Sequence, residues 1–74
     1  MINSAQCRGA RAMLNWSRQD LADASKVSDR TITDFERGAR QPYTRTLRDI
    51  KEAFETAGIE FIDSNGSGVG VRLR

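Results

Sequence analysis

The sequence predicts a mainly α domain of four to five helices that ends in a C-terminal β-hairpin. Three observations carry this. Apolar residues recur at helical spacing in four stretches up to Ala57, each punctuated by Ser, Gly or Pro. The two middle stretches are short and separated by about three residues, the spacing of a helix-turn-helix. Beyond Gly58 the apolar residues alternate on both sides of a glycine-rich segment containing Asn65-Gly66, which is the pattern of a hairpin.

The first helix is predicted over about residues 4–15, with Cys7, Ala10, Leu14 and the stem of Arg11 on one face. Asn3 or Ser4 is placed to cap it, because a short side-chain oxygen accepts an orphan backbone N–H. Gly9 weakens this helix by about 1 kcal/mol relative to alanine. Ser17 followed by Asp20 is a capping box with Asp in place of Glu, and Trp16 and Leu21 stand at hydrophobic-staple positions around it. The second helix is short, since Ser25-Lys26-Val27-Ser28 breaks the pattern. Ser28 caps a third helix over about residues 29–37, with Ile32 and Phe35 facing inward and Gly38 suited to its left-handed end. Pro42 keeps Ala39–Tyr43 out of helix. Thr44 is expected to cap the fourth helix, residues 45–57, whose stripe is Leu47, Ile50, Phe54 and Ala57. The hairpin runs Ile59-Glu60-Phe61-Ile62, then a turn, then Val69 to Arg74; a flexible tail is the alternative.

A chain of 74 residues is expected to form one domain, with residues 1–58 as the helical unit and 59–74 as a hairpin extension of it. No stretch reaches the roughly 18 apolar residues of a membrane span, and Met1 to Ala5 carry no signal-peptide pattern. One cysteine, Cys7, allows no internal disulfide, and histidine is absent. Zinc fingers, histidine acid–base chemistry and most metal sites are thereby disfavoured; no cofactor is expected, and a reducing cytoplasm is the default location. An enzyme is the least expected class, because no nucleophile–base pair is in view and the glycines at 66 and 68 have no following helix to cradle a phosphate. The net charge of +2 is unevenly placed: residues 1–45 hold eight Lys/Arg against five Asp/Glu, and residues 46–74 hold four against five. A basic front half fits a polyanion partner, or equally a solvated face.

The run Ser17-Arg18-Gln19-Asp20-Leu21-Ala22-Asp23-Ala24-Ser25-Lys26-Val27-Ser28, followed by Ile32, Phe35-Glu36, Gly38 and Pro42, resembles the phage-repressor-like Xre/Cro helix-turn-helix family. The resemblance covers roughly residues 6–58 and implies a DNA-binding transcription regulator. Two departures stand out. Lys26 occupies a turn position where the family commonly has glycine, and Arg18 stands where it commonly has glutamine. Both add positive charge on the side that would face DNA. The resemblance also implies that Arg11 and Glu36 form a partly buried structural ion pair. Cys7 reads as a small apolar residue rather than a redox switch.

The physical logic of such a motif names its own contact residues. A major groove about 12 Å wide admits one helix, and residues near the start of that helix face the base edges. Here those are Ser28, Asp29, Arg30, Thr33 and Asp34. Arg30 suits guanine O6/N7, and Asp29 or Asp34 suits cytosine N4. For Asp29 the alternative is a helix-start charge favoured by the dipole. Phosphate contacts are expected from Arg18, Lys26, Arg40, Gln41 and Arg45, each of which is otherwise an ordinary solvated residue. One such domain makes few base contacts, so a repressor acting as a homodimer on a near-palindromic operator is the leading expectation. Ile59, Phe61, Val69, Val71 and Leu73 of the hairpin are the expected dimer contact, unless the hairpin only caps its own helices. A protein-interaction module, such as an antitoxin-like partner protein, is the competing class.

Overall fold

The computed structural model describes residues 2–62 and 69–74. Four helices precede a two-stranded sheet: α1 (Ser4–Leu14), α2 (Arg18–Ser25), α3 (Asp29–Glu36), α4 (Thr44–Thr56), β1 (Ile59–Ile62) and β2 (Gly70–Leu73). The Asn65-Gly66 turn expected from the sequence lies outside the described residues.

Local chemistry explains most of the boundaries. Asn3 caps α1 through a full capping box: its Oδ1 accepts from Gln6 N at 2.8 Å, and Gln6 Oε1 accepts from Asn3 N at 2.9 Å. Helix α1 closes at Leu14 because Asn15 adopts the left-handed conformation, φ 57°, which asparagine tolerates better than most residues. The Ser17–Asp20 box forms with bonds of 3.0 and 2.9 Å. Ser28 Oγ accepts from Thr31 N at 3.1 Å to start α3, and Gly38, φ 75°, follows its end.

The start of α4 departs from expectation. Thr44 is the first helical residue, and Tyr43 occupies the cap position without any side-chain cap bond. Tyr43 is extended, φ −61° and ψ 156°, and takes the cap position itself, so the helix begins one residue earlier than a threonine cap would require. The first turn closes with Leu47 N donating to Tyr43 O at 3.0 Å. Of the α4 stripe, Leu47, Ile50 and Phe54 are buried, whereas Ala57 is half-buried.

Lys26 ends α2 at φ 64° and ψ 21°, the left-handed region expected there. A side chain in that region crowds its own backbone by about 1–2 kcal/mol relative to glycine. Lys26→Gly should therefore stabilise the fold by about 1 kcal/mol, seen as a melting temperature roughly 4–8 °C higher. A melting temperature that stays level or falls would show that the lysine stem compensates for the strain.

The strands pair antiparallel, Ile59 opposite Leu73 and Phe61 opposite Val71. That register puts Ile59, Phe61 and Val71 on the face turned to the helices, where Ile59 is fully buried and the other two pack against the core. Phe54 joins the layers: its ring stacks on Trp16 at 5.7 Å and meets Phe61 edge-on at 6.0 Å. Gly9 owes its presence in α1 to the same sheet. A Cβ there would lie 3.2 Å from Val71 Cγ2, tighter than ordinary contact, so glycine lets β2 lie close on α1. Gln6 completes the tie, its Nε2 donating to Gly70 O at 3.1 Å and to Ile62 O at 3.4 Å.

Candidate nucleic-acid interface

Glu36, at the last turn of α3, is the hub that sets how this helix is held. Its side chain is fully buried and accepts from Arg11 Nε and Nη2, both at 2.7 Å, in a two-pronged ion pair. Arg11 also donates through Nη1 to Trp16 O at 3.0 Å, so one guanidinium fixes α3 to α1 and to the junction before α2. Cys7 Sγ donates to Glu36 Oε2 at 3.2 Å, and Arg18 Nε to Oε1 at 3.3 Å. Arg8, which carried no expected role, donates to the Glu36 carbonyl at 2.6 Å, a cation placed on the negative end of α3.

The titration behaviour follows from this crowding. Burial pushes the Glu36 carboxyl upward, but hydrogen bonds from Arg11, Cys7 and Arg18 outweigh it, and its pKa falls below the usual carboxylate value. The hydrogen bond with Glu36 raises the Arg11 value against the opposing effect of burial. Burial, then the bond to Glu36, pushes the Cys7 thiol well above its ordinary range, which keeps it protonated and unreactive.

With its inner side so fixed, α3 presents the other side outward. Asp29 and Arg30 are exposed; Thr33 and Asp34 are half-buried at the edge of the same face. Arg30 Nε lies 3.4 Å from Asp34 Oδ2, an i,i+4 pair whose arginine side chain is 87% exposed. Such a pair is worth only a few tenths of a kcal/mol and opens readily for a stronger partner. Ser28, expected among the base contacts, has its hydroxyl engaged: beyond the cap bond it donates to Thr31 Oγ1 at 2.8 Å. Its first duty is to start the helix.

The expected phosphate set divides similarly. Lys26, Arg40, Gln41 and Arg45 are all exposed. Arg40 and Gln41 stand between two grooves, one of about 250 Å³ shared with Asn3 and Ser4 and one of about 430 Å³ shared with Thr31, Tyr43 and Thr46. Arg18 is only partly free, because its Nε is turned inward to Glu36 while its side chain stays 43% exposed. A larger groove of about 520 Å³ runs between α2 and α4, but Asp49 and Glu52 on its wall give it the wrong sign for a phosphate.

Of the five residues expected at a dimer contact, three are already used. Ile59 is fully buried in its own chain, and Phe61 and Val71 cover its own core, because the hairpin must shield α1 and α4. Ile59 therefore offers no side-chain surface to a second copy. Val69 and Leu73 remain open, at 49% and 54% exposure.

A short capped helix set on a buried ion pair, with its outer side open and arginines on the adjoining loop, defines a DNA-binding helix-turn-helix domain. The helix-turn-helix family model matches residues 8–61, well over half of the chain, and the protein belongs to that Xre/Cro-like family. No curated protein matches the chain. No helix among the described residues is long and apolar enough to cross a membrane, and no group of three or more His, Cys, Asp or Glu among them gathers as a metal site.

Sequence reasoning missed Thr31, Tyr43 and Thr46, which line the groove beside α3. Helical phase carried a usable signal for Thr31, which falls on the same turn as the chosen contacts.

Proposed function

We propose that this protein is a sequence-specific transcriptional repressor of the cytoplasm that inserts α3 into the major groove. The observation that carries the reading is the outward, exposed Arg30 on a helix whose opposite side is locked by the Arg11–Glu36 pair. Arg30 reads a guanine, releasing Asp34, and the freed Asp34 or the exposed Asp29 accepts from a cytosine amine. Thr33 borders these contacts. Lys26, Arg40, Gln41, Arg45 and the outer nitrogens of Arg18 bind phosphates and set register without reading sequence. Repression follows from occupying a promoter.

The protein acts as a homodimer. Arg74 N donates to Gly58 O at 2.8 Å, and antiparallel alternation then turns the backbone groups of Ile59 and Phe61 outward along one edge and those of Val71 and Leu73 along the other. An edge of this kind pairs with its copy about a two-fold axis, with Val69 and Leu73 supplying apolar cover.

Selection of bound sequences from a random duplex pool tests the reading. The expected product is two inverted half-sites about 34 Å apart, bound with a steep loss of affinity as salt rises. Arg30→Ala should relax preference at one or two base pairs by about 1–3 kcal/mol and leave the others unchanged. A uniform loss with the same preferred sequence would remove Arg30 from the readout, and a single unrepeated half-site would remove the dimer.

A further inference from the structure

Tyr43 is 87% exposed, far more than any other large apolar side chain among the described residues. Its position makes the exposure unexpected twice over. As the residue before the first turn of α4 it stands where a short side-chain oxygen would satisfy a backbone N–H, yet it makes no cap bond. As an aromatic it leaves its ring in water, although tyrosine gains most where its face is covered and its hydroxyl is paired. The ring stands on the wall of the groove formed with Thr31, Arg40, Gln41, Pro42 and Thr46. Thr31 belongs to α3, so whatever fills this groove also touches the helix assigned to base reading.

Resting on the DNA-binding reading, we propose that Tyr43 is a backbone-positioning residue. Its ring packs on a deoxyribose and its hydroxyl donates to the adjoining phosphate of the strand that flanks the inserted α3. The lining of the groove argues for this occupant. Arg40 and Gln41 carry N–H donors suited to phosphate oxygens, Thr31 and Thr46 carry hydroxyls, and no carboxylate among the described residues lines the groove. The ring needs apolar cover and the hydroxyl needs an acceptor; a sugar followed by a phosphate supplies both. An exposed tyrosine rim with only protein beneath it explains neither the ring nor the donors.

The test uses the full chain, the duplex recovered by selection, and the variants Tyr43→Phe and Tyr43→Ala. Tyr43→Ala should weaken binding about five- to tenfold on every sequence, and Tyr43→Phe about threefold, with the preferred site unchanged. Both should melt at the parental temperature, since the ring supports nothing in the fold. Ethylation interference separates this role from a merely structural one. One phosphate per half-site should block the parent when ethylated and lose its effect with Tyr43→Ala. Parental binding that Tyr43→Ala leaves unchanged, with the same interference pattern, would overturn the assignment while sparing the DNA reading. A parent that binds no duplex would overturn both.

Discussion

Glu36→Ala is expected to lose about 3–5 kcal/mol of folding stability, measured by denaturant unfolding at neutral pH. The removed carboxylate is fully buried, and it leaves Arg11, whose side chain is only 19% exposed, facing an apolar gap with two N–H groups unpaired. Cys7 loses its acceptor in the same step. Against a total of about 4–11 kcal/mol for a domain of this size, such a loss removes a large fraction of the stability and, at the low end of that range, nearly all of it. The double variant Arg11→Met with Glu36→Met should recover much of it, because both charges are then gone together. Acid should act in the same direction. The folded-state pKa of Glu36 lies below the unfolded value of about 4.3, so its contribution is fully present above that value and is lost as pH falls through the folded one. A loss under 1 kcal/mol for Glu36→Ala would show that water reaches the pair and that α3 is held by apolar contacts alone.

Where the sequence was legible, the governing interaction was short in range. Ser17 and Ser28 bond N–H groups three residues away, Lys26 answers only to its own backbone angles, and Ile32, Phe35, Leu47, Ile50 and Phe54 repeat at helical period. These signals lie inside a window of one or two turns. Illegible positions answer to partners far along the chain. Gln6 reads as a polar residue of α1, but its burial is decided by carbonyls 56 and 64 residues away. Gly9 reads as a helix defect until Val71 is placed over it. Arg18 reads as a free phosphate ligand because its spacing from Glu36 gives no hint that the two meet. The Thr44 cap failed for a different reason: the threonine already has helical angles, and extended Tyr43 takes the cap position without a side-chain bond, so capping preference did not decide the boundary. At the hairpin, alternation announced two apolar strand faces but not their owner, and the chain uses Ile59, Phe61 and Val71 for itself.

Phe54→Ala should be as costly as loss of Glu36, about 3–5 kcal/mol, for an unrelated reason. Phe54 is fully buried and is the largest such side chain among the described residues. Its ring is the common neighbour of Trp16, at the entrance to α2, and Phe61, in β1. Truncation removes the transfer energy of the ring and leaves a cavity that α4 cannot close, since Leu47 and Ile50 lie on other turns of the same rigid helix. Trp16 is the single tryptophan, so its emission reports this site directly. The expected result is a melting temperature lower by about 15–30 °C, with Trp16 fluorescence shifted to the red even at low temperature. The helix-turn-helix is expected to fail together with the hairpin, because the ring joins them. A variant that melts like the parent but with red-shifted emission would mean that Phe54 merely covers Trp16. Loss of hairpin packing with full DNA binding retained would mean that α2 and α3 are stable without the layer beneath them.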